Sequence, residues 1–435
     1  MSQPLVPRLP LELFINILTF LPRAYLSDVS TVSHLFHDLV SPLLFSTFRF
    51  HPGVQIEISE SGTRLRWELD RLEFWSSDAI APLVRKSFIS LYCTKITANP
   101  EDSSPVGTAV CEAISRFKNL RSLSCNFANR RVDLLALRVQ GLAHLQRLEI
   151  NAGRLSPPRN PTAAMTLSIA HFSYTEMPEL VVSNSPYLTM LDPARLYSLE
   201  LSPFHPRALD NFLGDGSAIV MFHKLRTLRL TFRNTDFTRV HASIAHFPAV
   251  RELVVHINGS CLPDTIPTTP LVRHLESYKG PAVLLPLILA GSAPEELVVT
   301  QGSAAEVLEG LRTATHPDFV TSLSMGVKLH ADIRQSTVLQ DIFSLCPSLT
   351  RLALEVSSDG GRRSDDDGFG ATTLAERLVE IILVHQGLET LVLRWRLGWE
   401  ASLVPRRSEL ETILRRKIPV FRHVLFSGGP GISAS

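Results

Sequence analysis

Residues 9–50 read LPLELFINILTFLPRAYLSDVSTVSHLFHDLVSPLLFSTFRF. Apolar residues recur here at helical spacing, stop at Pro22, resume, and stop again at Pro42. Leu11, Phe14, Ile15, Leu18 and Leu21 form an i, i+3, i+4, i+7 stripe. Pro10 suits a first helical turn, where its missing N–H has no partner to lose, and Glu12 in that turn complements the helix dipole. Leu13, Ile17 and Phe20 widen the stripe past one core-facing side. A short helix that is apolar on most sides needs two surfaces to cover it: its own domain and a partner. Ser27 and Asp28 suit the start of a further helix bearing Val29, Val32, Leu35 and Phe36. The plainer reading is a helical hairpin in an ordinary core. A signal peptide fits poorly: only Arg8 supplies positive charge ahead of the apolar run, Glu12 interrupts its edge, and no small-x-small cleavage site follows closely.

A second pattern fills most of the remaining chain. An L-x-x-L-x-L spacing, with apolar substitutes, recurs as Leu120, Leu123, Cys125; Leu145, Leu148, Ile150; Leu196, Leu199, Leu201; Leu225, Leu228, Leu230; and Val250, Leu253, Val255. It weakens to Val272, Leu275 and to Leu297, Val299. It then returns as Val320, Leu323, Met325; Leu349, Leu352, Leu354; Leu388, Leu391, Leu393; and finally Phe421, Val424, Phe426. A degenerate unit is expected near Leu167 to Phe172. Most intervals are roughly 22–30 residues, the range of leucine-rich repeats. The alternating core of each unit predicts a short strand with one buried face, and stacked units would pair their strands in parallel. Helical periodicity falls between strands at residues 110–117, 240–247, 304–311, 338–345 and 374–384. Residues 153–164, 357–370 and the tail from Gly428 are rich in breakers or lack an apolar face, and are expected to be mobile.

Composition excludes several classes. The 435 residues are 45% hydrophobic and 20% charged, with a net charge of +1, so nothing pushes the chain toward nucleic acid or an anionic membrane. No uncharged apolar run reaches the length of a membrane span. The five cysteines are scattered without CxxC pairing, which argues against a disulfide framework or zinc module and is consistent with cytosol or nucleus. Phosphate-loop, GxSxG, HExxH and GxGxxG motifs do not occur. His241 and His246 are five apart and do not share the geometry of a metal pair. The chain is therefore expected to be non-catalytic, with no cofactor or metal.

The N-terminal stretch resembles an F-box. Leu9-Pro10, Glu12 two positions after the proline, the apolar helix, the Leu21-Pro22 break, Leu26, the Val32-Ser33 pair, Phe36, and closing Leu44 and Phe45 agree with the family in order and spacing. Tyr25 stands where the family often has Asp, and Phe36 and Phe45 where it often has Trp. Together with the repeats, the chain resembles F-box/leucine-rich-repeat substrate receptors, especially the large, divergent fungal sets. The resemblance implies an all-α F-box module at 5–50 and a linker and solenoid cap at 51–110. It implies an irregular α/β leucine-rich-repeat solenoid with a parallel inner sheet at 111–427 and a flexible tail at 428–435. It also implies docking on a Skp-family adaptor, and through it on cullin and ring-type subunits of a ubiquitin ligase. The docking residues carried over are Leu9, Pro10, Glu12, Ile15, Leu18, Leu21, Leu26, Val32 and Ser33; sequence does not separate docking anchors from residues of the module's own core. A target protein would lie on outward strand positions. Alternation nominates Thr227, Arg229 and Thr231; Glu252, Val254 and His256; Arg351, Ala353 and Glu355; and Thr390, Val392 and Arg394. A non-ubiquitylating F-box scaffold and a plain leucine-rich-repeat binding module remain alternatives.

Overall fold

Pro10 and Pro22 each stand in extended conformation immediately before a helix, α1 (Leu11–Thr19) and α2 (Arg23–Ser30). Ser33 caps the third, α3 (His34–Leu44), its hydroxyl accepting from the Phe36 N–H. Two expectations need correction. Ser27 and Asp28 lie inside α2, because Pro22 sets the helix start earlier and Ser33 supplies the next cap. Pro42 does not break α3; it sits in the last turn, where its missing N–H costs one bond and the helix ends two residues later.

The structure, a computed structural model, describes residues 10–52, 62–91, 104–127, 131–133, 137–152, 154–156, 166–176, 190–204, 221–233, 244, 246–258, 272–328, 337–357, 380, 387–395, 412, 416 and 423–427. Contacts divide the chain into two units: Met1–Leu196 with Glu200–Pro203 and Asp210–Phe212, and Tyr197–Leu199 with Phe204–Leu209 and Leu213–Ser435. After α3 the first unit continues through β1 (Thr47–Phe50), α4 (Gly62–Ser76), β2 (Lys86–Ser90), α5 (Pro105–Arg116) and β3 (Ser122–Asn126). It goes on through β4 (Arg131–Asp133), β5 (Arg147–Ala152), β6 (Arg154–Ser156) and β7 (His171–Glu176). Its sheet runs β1-β2-β3-β5-β7, all pairs parallel, and β4 pairs separately with β6. The division between units runs through β8 (Ser198–Phe204).

The second unit holds β9 (Thr227–Arg233), β10 (Glu252–Asn258), β11 (Ser277–Pro281), α6 (Leu285–Leu289) and β12 (Glu296–Gln301). There follow α7 (Ala304–Arg312), β13 (Ser322–Lys328), α8 (Val338–Leu345), β14 (Arg351–Ser357), β15 (Thr390–Trp395) and β16 (His423–Ser427). Strands β9 to β16 pair in chain order, every pair parallel. The architecture is thus α/β, a parallel sheet with helices between strands.

The spaced apolar residues explain this order. Each triplet from Leu120 to Leu393 is buried. Its first member closes a turn: the Leu120 N–H donates to the Phe117 carbonyl at 2.9 Å, and the Leu349 N–H to the Cys346 carbonyl at 3.2 Å. The next residue then begins a recurring bond pair in which one carbonyl accepts two successive N–H groups of the following strand. Arg85 accepts from Arg121 and Ser122 at 2.8 and 3.2 Å, and Arg226 from Arg251 and Glu252 at 2.8 and 2.9 Å. Thr321 accepts from Thr350 and Arg351 at 2.9 and 3.0 Å.

Two boundaries differ from expectation. The sheet begins at Thr47, inside residues 5–50 assigned to the all-α module, so that module ends earlier than its expected boundary. Residues 154–156, expected to be mobile, form β6, because the run of prolines begins only at Pro157. The foreseen degenerate unit is β7. Of the expected helices, α5, α7 and α8 are present, whereas most of 240–247 and 374–384 lies outside the described residues, as do nearly all of 358–370 and the tail.

An aromatic cluster joins the helices to the sheet within the first unit. Phe45, just after α3, meets Trp75 of α4 at 5.6 Å; Phe48 of β1 meets Trp75 at 5.2 Å and Phe117 at 5.3 Å. Arg71 of α4 pairs with buried Glu68 at 3.3 Å, donates to the Arg49 carbonyl at 2.7 Å, and lies over the Phe50 ring. In the second unit Gly310 lets α7 approach α6: a Cβ there would stand 2.5 Å from the Leu285 Cβ. Gly310→Ala should destabilise by about 1–3 kcal/mol through overpacking, although alanine is the better helix former by about 1 kcal/mol. Gly62→Ala, with nothing within 4 Å of the new methyl, should be neutral or stabilising. Urea midpoints of the two variants check this contrast.

Candidate protein-interaction surfaces

The three N-terminal helices share a small core. Leu18, Leu26 and Val40 are buried, and Leu21, Val29, Phe36, Leu39, Leu43 and Leu44 pack against them. Phe14 meets Phe36 edge-on at 5.9 Å, and the Arg23 guanidinium donates to the Leu44 carbonyl at 2.8 Å, holding α2 against the end of α3. What this core leaves out is more informative. Thirteen large apolar side chains are exposed among the described residues, and eight of them fall between residues 11 and 35: Leu11, Leu13, Ile15, Ile17, Phe20, Tyr25, Val32 and Leu35. Phe20 is 86% exposed and Val32 69%. Apolar exposure concentrated on one small module makes it a candidate interaction surface.

The structure sorts the residues nominated there. Ile15 and Val32 are exposed apolar groups, and Pro10 and Glu12 are exposed beside them. Leu18 (3% exposed) and Leu26 (6%) belong to the internal core, and Leu21 is packed against it. Ser33 serves α3 as its cap. Leu9 lies outside the described residues. Ile17, Phe20, Tyr25 and Leu35 were not nominated, yet they present more apolar surface than Ile15. The sequence signal was there, in the apolar sides beyond the core stripe.

The second surface is the outward face of the strands. Thr227, Arg229, Thr231, Glu252, Val254, His256, Arg351, Ala353, Glu355, Thr390, Val392 and Arg394 all alternate with buried neighbours and point away from the core. Register aligns them in rows: Thr227 with Glu252, Arg229 with Val254, Thr231 with His256, Arg351 with Thr390, and Glu355 with Arg394. Hydroxyls and carboxylates link neighbouring strands, Thr227 donating to Glu252 at 3.2 Å and Ser277 to Glu296 at 3.3 Å. Arg251 and Glu276 form an ion pair at 2.5 Å.

Cys111, Cys125 and Cys346 are buried, unpaired thiols; burial pushes Cys111 and Cys346 up to about 12 and Cys125 higher, so none is a ready nucleophile. His246, buried with its Nδ1 lacking a hydrogen-bond partner, is held below the ordinary imidazole range by desolvation. His171, beside Arg147 in register, is lowered by partial burial and then by that positive charge. A groove of about 450 Å³ between α4 and α5 is lined by Glu73, Ser76, Ser77, Asp78, Glu112 and Arg116 among others. Among the described residues no group of three or more His, Cys, Asp or Glu could hold a metal ion, and no helix is long and apolar enough to cross a membrane.

No protein-family model matches the chain, and no curated protein is detectably similar to it.

The sorting of the helical module has a direct test in stability. Leu18→Ala should cost about 2–5 kcal/mol, because it empties a buried site. Ile17→Ala, at a 54% exposed position, should stay within about 0.5 kcal/mol. Chemical denaturation of both variants reads the difference.

Proposed function

We propose that this chain is a substrate-recognition subunit of an SCF-type ubiquitin ligase. In this reading α1–α3 are the F-box, which docks on a Skp-family adaptor and through it on cullin and ring-type subunits. The parallel sheet is the inner face of an irregular leucine-rich-repeat solenoid, and its outward rows hold a target protein. The single observation that carries the reading is the apolar surface of residues 11–35, eight exposed large side chains on a module that fully buries only Leu18, Leu26 and Val40. Its support for an adaptor is physical: covering such a surface with a partner removes apolar area from water and is favourable. The recurrence of one turn, one buried triplet and one shared carbonyl from strand to strand supports the repeat reading. The chain itself would do no bond chemistry. Ubiquitin transfer to the target would follow from holding it close to the conjugating enzyme, a gain in effective concentration.

The docking residues follow from exposure. Ile15, Ile17, Phe20 and Val32 would be anchors, with Pro10 and Glu12 at the edge. Hot-spot side chains of this size typically cost 2 kcal/mol or more when truncated. Ile17→Asp combined with Val32→Asp should lower capture by a purified Skp-family adaptor at least tenfold while leaving the melting temperature unchanged. Full capture by that folded variant would contradict the assignment of this surface.

A further inference from the structure

The outward rows of the two units differ in charge. On β9 to β15 the outward and strand-start positions mix signs: Arg229, Lys279 and Arg351 are balanced by Glu252, Glu296 and Glu355. On β1, β2, β3, β5 and β7 they do not. Arg49, Arg85, Lys86, Arg121 and Arg147 are exposed there, and the outward rows of these strands hold one carboxylate, Glu149, already paired with Arg147 at 2.6 Å. The chain as a whole has a net charge of +1, so this is a local concentration.

The position of two arginines sharpens the point. Arg85 and Arg121 stand at the starts of neighbouring strands, joined by the bond from the Arg121 N–H to the Arg85 carbonyl. In the second unit the same step also joins Arg226 to Arg251, but there the next strand start supplies Glu276, which forms an ion pair with Arg251. Like charges on adjacent strands repel, and Arg85, Lys86 and Arg121 have no carboxylate partner among the described residues. Amid these charges Phe88 is 41% exposed, with the Arg49 guanidinium 5.4 Å from its ring centre.

We infer that the strand face of the first unit binds an anionic segment of a target protein. The inference deepens the reading of the outward rows as a target surface and rests on it. Carboxylates or phosphates would lie over Arg85, Lys86 and Arg121, and an apolar side chain would rest on Phe88. Five strands at about 4.8 Å spacing give a track of roughly 19 Å, which an extended peptide of about six residues spans. Ser122, Ser124 and Ser173 on the same face add hydroxyl donors for anionic oxygens. A single-stranded nucleic acid fits less well: it favours several stacking aromatics along a basic groove, and these outward rows offer Phe88 alone.

Fluorescence anisotropy with the full chain tests this. The probes are a labelled twelve-residue peptide of alternating Asp and Ser around a central Leu, its version with Asn for Asp, its version with Asn for Asp and phosphoserine for Ser, and a twelve-nucleotide single strand. Saturable binding is expected for an anionic peptide, at least tenfold weaker for the Asn peptide, and weakened by salt. Whichever anionic peptide binds more tightly identifies carboxylate or phosphate as the ligand. Arg85→Glu with Arg121→Glu should lose at least tenfold in affinity, and Lys224→Glu with Arg273→Glu, at exposed turn positions outside the nominated rows, less than twofold, with unchanged melting temperatures. No saturable binding of either anionic peptide, equal loss in both double variants, or tighter binding of the oligonucleotide would overturn the inference. Adaptor capture measured on the same preparations separates the two readings. Intact capture without peptide binding overturns this inference alone, and peptide binding without capture overturns the docking reading alone.

Discussion

Most of this structure depends on one backbone interaction repeated along the chain: a carbonyl at each strand start accepts two successive N–H groups from the next strand. That bond pair fixes register. A slip of one residue would turn every buried leucine of a strand outward, because side chains alternate with period two. Fixed register therefore stacks Leu123 on Leu148 and Leu228 on Leu253, and it stacks the outward residues into rows. The outward rows and the core are two faces of the same constraint.

The helical module is joined to that ladder, not loosely tethered. Only two residues separate α3 from β1, and Phe45, Phe48, Trp75 and Phe117 close over the junction. Arg71 satisfies buried Glu68 and reaches back to β1. A module with so small an internal core gains much of its order from this junction. It can therefore keep large apolar side chains on its outer surface. In the proposed reading the same junction would hold an adaptor and a target at a set separation.

Much of the sheet was legible in the sequence because parallel strands buried on one face write the same spacing each time. Leu225, Leu228 and Leu230 announce a strand, and so do Leu349, Leu352 and Leu354. Thr47–Phe50 falls inside the span assigned to the helical module because only two residues separate it from a helix. Pro42 misled because its effect depends on position, and a proline in the last helical turn removes a single bond. The surplus of apolar sides on α1 was visible, but which leucines turn inward is decided by the packing of α2 and α3 against it. That is why Leu18 and Leu26 stood beside Ile15 and Val32 as equal candidates. The basic face was hidden for another reason. Arg85 and Arg121 are 36 residues apart in the chain and become neighbours only through the ladder.

Amide hydrogen exchange of the full chain, alone and with a purified Skp-family adaptor, tests the central claim most directly. The account predicts added protection concentrated in residues 11–37, where α1, α2 and the start of α3 carry the exposed apolar groups, with the strands of both units unchanged. Absence of added protection there, or protection confined to the strands, would contradict it.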